Sequence, residues 1–330
     1  MLGLIFATAL MVAAFVEASM GTLRYKSQDS NTAALRPYAY SALEITLARI
    51  REYQLIKENI YNILPEWKQP ASDLIAFPDG MEFNIRIEDE SSRVGINTIA
   101  DKSQWIRILE RYNVSSYEAE QMAEAFLDWT DSDDQERPFG AEADTYERDN
   151  SPYLPPNAPV ISIDELAQIR GFDRYWWTEE GTLSRMALDF KNIFSTLSTE
   201  PPNINTASAA VLNYLTDDPL EAASILNTRS GNDGILNTED DEFVESSLQL
   251  QSEGFNLLED VSYTSKLFII EIETNWRGAR FTLSALVTLD SATSENSDSQ
   301  YPFKLLKLSE NNRFSKDTVS SDMETDRLFN

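Results

Sequence analysis

Residues 267–289 read LFIIEIETNWRGARFTLSALVTL. Leu267 to Thr274 and Ala279 to Leu289 are rich in Ile, Phe, Val and Thr, side chains that suit a pleated, half-buried surface. Asn275-Trp276-Arg277-Gly278 stands between them and predicts a β-hairpin. An isolated hairpin is barely stable in water, so this one needs another strand. The candidate lies far upstream. After the turn signal Phe77-Pro78-Asp79-Gly80, the residues Met81, Phe83, Ile85 and Ile87 alternate with Glu82, Asn84, Arg86 and Glu88. That period of two is a strand with one buried face. The chain between the two regions has a helical period. The reading is a small sheet domain interrupted by a large helical insertion, an α+β fold.

Within the insertion, Trp105, Ile108, Leu109 and Tyr112 form one helical face, and Ala119, Met122, Ala123, Phe126 and Leu127 form another. Pro152 to Pro159 holds four prolines in eight residues and predicts an extended loop. Ser162 stands three residues before Glu165, a capping box at a short helix. Residues 184–197 fit either a strand or a helix. Thr206 to Leu215 is predicted helical with Asn205 or Thr206 as its cap, and Pro219 to Asn227 follows as a second helix.

Met1 to Val16 carries no charge, and small or apolar residues continue past Glu17 to Leu23. Twenty-three helical residues span about 35 Å, against about 30 Å of bilayer core. No basic residue precedes the run, so it reads as an uncleaved anchor, with a secretory signal peptide or a buried helix as alternatives. Beyond it an imperfect amphipathic stripe runs through Tyr38, Leu43, Leu47, Ile50, Leu55, Ile60 and Leu64. Arg36-Pro37 should kink or break that helix and Pro65 should end it. The expected division is 1–64 for the helix, 65–96 with 255–290 for the sheet domain, 97–254 for the insert and 291–330 for a polar, flexible tail.

The chain of 330 residues has 27 Lys plus Arg against 55 Asp plus Glu, a net charge of −28, with no His and no Cys. Ser-His-Asp triads, Cys nucleophiles, His bases and disulfides are therefore excluded. Such a field repels phosphate backbones, so no nucleic-acid partner is expected. What remains is oxygen chemistry, either binding of a hard cation or a carboxylate pair acting on a sugar.

The charge concentrates in residues 128–150, DWTDSDDQERPFGAEADTYERDN, which hold nine acids and two bases. Asp131 and Asp133 stand two apart in a turn-forming run, and Glu142 and Asp144 repeat that spacing after Gly140. Two converging pairs would repel each other unless neutralised. Ca²⁺ does this with six to eight oxygens in irregular loops, whereas Mg²⁺ demands stricter geometry. The plainer alternative is a solvated acidic loop. Residues 231–242, GNDGILNTEDDE, could be a second Ca²⁺ loop or a turn leading into a helix with favourable acids. Asn203-Ile204-Asn205-Thr206-Ala207 resembles the start of a helix-hairpin-helix unit, but Asp217-Asp218-Pro219 replaces the glycine hairpin that contacts phosphate. An enzyme reading takes two of Asp128, Asp131, Asp133 and Glu142 as acid and base of a periplasmic carbohydrate-active hydrolase; the sequence implies no aromatic-lined sugar cleft, though Trp176-Trp177 could supply one.

Several motifs in order resemble the K-type minor pseudopilins of the bacterial type II secretion system. They are the apolar N-terminus, Asp89-Glu90 with Gly95-Ile96-Asn97, Asp128-Trp129-x-Asp131-x-Asp133, Gly140-Ala141-Glu142 with Tyr146, Pro155-Pro156-Asn157, Gly171-Phe172 and Asn203 to Ala207. The resemblance implies a pilin-like fold: a long N-terminal helix on a small antiparallel sheet, with a large α-helical domain inserted. It implies a non-catalytic subunit anchored in the inner membrane, the bulk of it periplasmic, capping a pseudopilus tip with I- and J-type minor pseudopilins. It also implies calcium bound through the loop from Asp128 to Asp144, with Asp128, Asp131, Asp133, Glu142 and Asp144 as ligands.

Overall fold

The computed structural model describes residues 32–69, 76–147, 153–216, 218–236, 238, 240–289 and 303–311. The expected apolar span before residue 24 and the linker at 291–300 lie outside these residues. Among the described residues no helix is long and apolar enough to cross a membrane.

In chain order the elements are α1 (32–57), β1 (Glu82–Asp89), β2 (Val94–Gly95), α2 (Lys102–Glu110), α3 (Ser116–Thr130), α4 (Ala143–Tyr146), α5 (Asp173–Trp176), α6 (Arg185–Ile193), β3 (Phe194–Ser195), α7 (Ala209–Thr216), α8 (Pro219–Arg229), α9 (Ser247–Ser252), β4 (Leu267–Trp276), β5 (Ala279–Leu289) and β6 (Phe303–Glu310). The described residues fall into two compact units. One gathers residues within 32–58, 63–88 and 268–311, the other those within 59–62 and 89–267.

The first unit holds a four-stranded sheet in the order β1-β4-β5-β6. Arg277 (φ 48°) and Gly278 (φ 76°) join β4 to β5. Two successive positive φ values make the two-residue turn whose twist matches that of the strands. Within the stretch 291–330 expected to be a flexible tail, residues 303–310 form the edge strand β6, which corrects that reading for those residues. It pairs antiparallel with β5 from Leu283↔Glu310 to Leu289↔Phe303. Composition misses it because Lys304 and Lys307 dilute the apolar pattern, as charges on edge strands do, while the stabilising bonds come from the backbone.

Helix α1 buries Leu35, Ala39, Ala42, Leu43, Thr46 and Ile50 along one stripe. It runs unbroken through Pro37, against expectation. Glu310 at the end of β6 accepts from Arg36 Nε at 2.8 Å and Tyr40 Oη at 2.6 Å, fixing the turns on either side of the proline. The helix also stops before Pro65. Glu58 adopts φ 63° and returns its N–H to the Gln54 carbonyl at 2.8 Å, a left-handed closure. Pro65 instead opens a short 3₁₀ turn, Pro65–Lys68, that buries Trp67.

The second unit is helical around an aromatic core. Trp105 packs on Phe126 with ring centroids 4.2 Å apart, and Phe190 on Phe194 at 4.9 Å. The ambiguous stretch 184–197 resolves into α6, capped by Ser184, followed by β3, which pairs parallel with β2. The cap of α7 is Ser208, whose Oγ accepts from Val211 N at 3.3 Å. Asn205 and Thr206 are not caps, because they are used deeper inside. Asn205 exchanges two bonds with the Val244 backbone and donates to the Tyr263 carbonyl at 2.8 Å. Thr206 donates to Asp89 at 2.5 Å. A buried amide must satisfy both of its ends, and that demand outweighs capping.

Candidate metal centre

Ser115 caps α3, with its Oγ accepting from Glu118 N. Along the helix, Glu124 and Asp128 are four residues apart and so share a face. Both are buried, at 5% and 0% exposure. The helix stops where Asp131 turns extended (ψ 173°). The following loop is then tied back to the two helical carboxylates. Glu124 accepts from Phe139 N at 2.6 Å and from Lys102 Nζ at 2.9 Å. Asp128 accepts from Ala141 N at 2.8 Å, Arg137 N at 3.2 Å and Arg137 Nη1 at 2.5 Å. Gly140 passes so close that a Cβ there would overlap the Asp128 carboxylate. Arg170 Nη1 donates to the Gly140 carbonyl at 2.9 Å.

The same Arg137 Nη1 donates to Asp131 Oδ2 at 2.5 Å. Asp131 Oδ1 is buried without a partner. Glu142 begins α4 and is only 4% exposed, and neither of its carboxylate oxygens meets a donor. Its carboxyl is pushed up to about 7, first by burial and then by the negative charges of Asp128, Asp131, Asp134 and Asp133. Asn157, at φ 47°, donates to the Asp133 carbonyl at 3.1 Å and to Asp134 Oδ1 at 2.8 Å. Its own Oδ1 is buried and unpartnered.

The two-residue spacings do not put both members of a pair on one side. Asp131 is half-buried while Asp133 is exposed and spends Oδ1 on Gln135 N at 2.9 Å. Glu142 is buried while Asp144 is exposed on the first turn of α4. The structure thus gathers Asp128, Asp131 and Glu142. As the side chains stand, no three Asp or Glu among the described residues form a ready metal cluster. Arg137 stands between two of the gathered three. Even so, the donor set fits a hard cation. It is all oxygen, it includes a carboxylate nine-tenths buried with both oxygens free, and its negative charge exceeds the one guanidinium beside it.

Glu124, Arg137 and Asn157 were not among the predicted site residues. Glu124 was signalled by a carboxylate one helical turn before Asp128, and Asn157 by its place after Pro155-Pro156. Arg137 carried no signal beyond being a base within an acidic run.

The other acidic stretch closes on itself. Asp240 Oδ2 accepts from Asn232 N at 2.7 Å and Asp233 N at 3.2 Å, and Thr238 donates to Oδ1 at 2.7 Å. The Thr238 hydroxyl and these N–H groups hold its carboxyl below the usual range. Among the described residues of this stretch no helix starts, and α9 begins only at Ser247. At the start of α8, Asp218 caps the helix through Leu220 N at 2.8 Å, so an acid occupies the hairpin. Trp176 is fully buried and Trp177 half exposed, so they do not line one sugar cleft. A cleft of about 460 Å³ beside α3 is lined by Tyr146, Tyr153, Arg170, Arg174 and Tyr175 among others, and none of the five predicted ligands reaches it.

Residues 83–179 match the family model for the type II secretion system (T2SS), protein K. The type II secretion system protein K of Pseudomonas aeruginosa is 26% identical over 212 residues, covering 61% of this chain and 59% of that protein. The protein of the same name from Aeromonas hydrophila is 42% identical over 65 residues, 19% of this chain and 20% of that one. The chain therefore spans less than two thirds of these relatives' length. A chain in the crystal structure of the GspK-GspI-GspJ complex from the enterotoxigenic Escherichia coli Type 2 Secretion System shares the fold at TM-score 0.54 and 19% identity, covering 88% of this chain and 99% of that one. The resemblance to protein K and the pilin-like α+β architecture are thereby borne out.

Proposed function

We propose that this chain, a member of the type II secretion protein K family over residues 83–179, is a minor pseudopilin that caps the tip of a secretion pseudopilus. The observation that carries this reading is the matched span itself. It runs from β1 through the acidic loop to α5, so the part of the chain richest in site-forming residues is the part the family shares. On this reading I- and J-type minor pseudopilins are its partners, which is supported by its likeness in fold to a chain of the Escherichia coli GspK-GspI-GspJ complex. The N-terminal apolar run holds it in the inner membrane, and the helical insert faces the periplasm and blocks further subunits. The role is mechanical and not catalytic. In support, Asp128 already spends both oxygens on Arg137 and on backbone N–H groups, which suits a scaffold better than a proton shuttle.

Calcium belongs to the same proposal. Asp128, Asp131 and Glu142 would hold it, with the side-chain Oδ1 of Asn157 as a further oxygen; Asp133 and Asp144, which turn outward, would join the shell only by swinging in. A bound Ca²⁺ supplies the positive charge that the buried carboxylates lack and fixes the loop between α3 and α4.

The test is co-purification of the full chain with I- and J-type minor pseudopilins, alongside rescue of secretion in a strain lacking its own protein K. A stable ternary complex and restored export are expected. A monomer beside both partners, with export unrestored, would overturn the proposal.

A further inference from the structure

Resting on the calcium reading, we propose that Arg137 is a built-in counter-cation that occupies the metal position and must leave Asp128 and Asp131 before a divalent ion can bind. A single nitrogen, Nη1, lies 2.5 Å from Asp128 Oδ1 and 2.5 Å from Asp131 Oδ2. These are two of the three gathered carboxylates. A calcium ion needs its oxygens at about 2.3–2.6 Å, which is the space the guanidinium nitrogen fills. Two cations cannot share it without strong repulsion.

The rest of the site shows how the exchange is arranged. Arg137 is anchored to Asp128 through its backbone as well, N to Oδ2 at 3.2 Å, so the main chain stays when the side chain swings away. Its side chain is 36% exposed, which leaves a route to solvent. The third carboxylate, Glu142, is buried and has no donor on either oxygen. Arg137 therefore neutralises two of the three acids and leaves the third unmatched. A divalent ion can serve all three, and Asp131 Oδ1 and Asn157 Oδ1 are further unpartnered oxygens. The guanidinium stabilises the metal-free loop and lowers apparent metal affinity by the fraction of molecules in which it is docked.

The experiment compares the full chain, stripped with EDTA and titrated with CaCl₂ by calorimetry, with Arg137→Gln and Arg137→Lys. Charge-assisted hydrogen bonds to carboxylates are strong enough that their loss should tighten calcium binding about tenfold or more in Arg137→Gln. Arg137→Lys, which keeps the charge but places it on a more strongly hydrated ammonium, should fall between. The metal-free Tm should drop in Arg137→Gln and recover with calcium. Unchanged or weaker affinity in both variants, with the wild type still binding, overturns the Arg137 inference and leaves the calcium reading standing. No binding heat in any of the three proteins overturns both. Binding in Arg137→Gln alone supports the inference in its strongest form. If Arg137→Gln does not fold without metal, Arg137→Lys carries the comparison.

Discussion

Ser265 donates to Asp89 at 2.6 Å, across 176 positions of sequence. Asp89 also accepts from Thr206 Oγ1 at 2.5 Å, Asn203 Nδ2 at 3.1 Å and Ser91 N at 2.9 Å. Ser91 Oγ in turn accepts from Leu267 N at 2.9 Å. One buried carboxylate thus fastens the chain where it enters the helical unit to the chain where it leaves. Burial pushes the Asp89 carboxyl up, while the four donors oppose that rise.

Removing this carboxylate should strand all its donors. Each buried unsatisfied group costs about 1–3 kcal/mol. Asp89→Ala should therefore destabilise the helical unit by about 3 kcal/mol or more, and Ser265→Ala, which removes one donor, by about 1 kcal/mol. Denaturant unfolding followed by tryptophan fluorescence reads both. If Asp89→Ala cost no more than Ser265→Ala, the carboxylate would not be the centre of the network.

Strand β6 should matter more than its exposure suggests. A chain truncated after residue 302 loses the β5–β6 ladder and the Glu310 contacts to Arg36 and Tyr40. It also opens β5, whose residues Leu283 and Ala285 are now fully buried, as a sheet edge. The expected result is aggregation on heating, seen by light scattering. Glu310→Gln alone should cost only about 0.5 kcal/mol, since the ion pair is solvent-exposed. A truncated chain that stays monomeric with an unchanged Tm would remove β6 from the fold's essential parts.

These two cases mark what sequence can and cannot reveal. The hairpin and the strand at 82–89 were legible because their alternation is set by which face is buried. The faces of α2 and α3 were legible for the same reason. Strand β6 was hidden because its partner lies elsewhere and its bonds are made by the backbone. At the site, the acidic loop was visible but its inner arrangement was not. Spacing by two predicts a shared side only in regular extended chain. Here Asp131 sits at a helix end and Glu142 at a helix start, so their neighbours Asp133 and Asp144 turn outward. Arg137 as the ion between two carboxylates was invisible, because nothing in a run of acids says which base folds back.

Gly140→Ala tests the packing of that loop. The new Cβ would overlap the Asp128 carboxylate, which is itself fixed by Arg137 and Ala141. Either the loop lifts or Asp128 leaves its donors. Overpacking of this kind costs about 1–3 kcal/mol, and a displaced buried carboxylate adds to it. The expected drop is at least 2 kcal/mol, with weakened calcium binding, on the order of tenfold. A variant with wild-type Tm and wild-type calcium affinity would show that the close approach is not needed.

The last prediction concerns acidity in the metal-free protein. The Glu142 carboxyl is pushed up to about 7, by burial first and by Asp128 and Asp131 next. Its folded-state value thus lies above the unfolded one, so between about pH 4.3 and 7 the folded chain holds more of this proton than the unfolded chain. Stability from this residue is then fully present below that window and is lost as pH rises through it, by at most about 4 kcal/mol at 1.36 kcal/mol per pH unit. Glu142→Gln keeps the shape and cannot ionise. In EDTA, the stability of Glu142→Gln relative to wild type should therefore rise from pH 4.5 to pH 7.5. With saturating CaCl₂ the comparison should invert at pH 7.5, because the wild type gains metal binding and the variant loses a ligand. Denaturant melts at the two pH values, with and without calcium, give the four numbers required. A difference that stays constant with pH in EDTA would mean that Glu142 is ionised in the folded chain and already partnered.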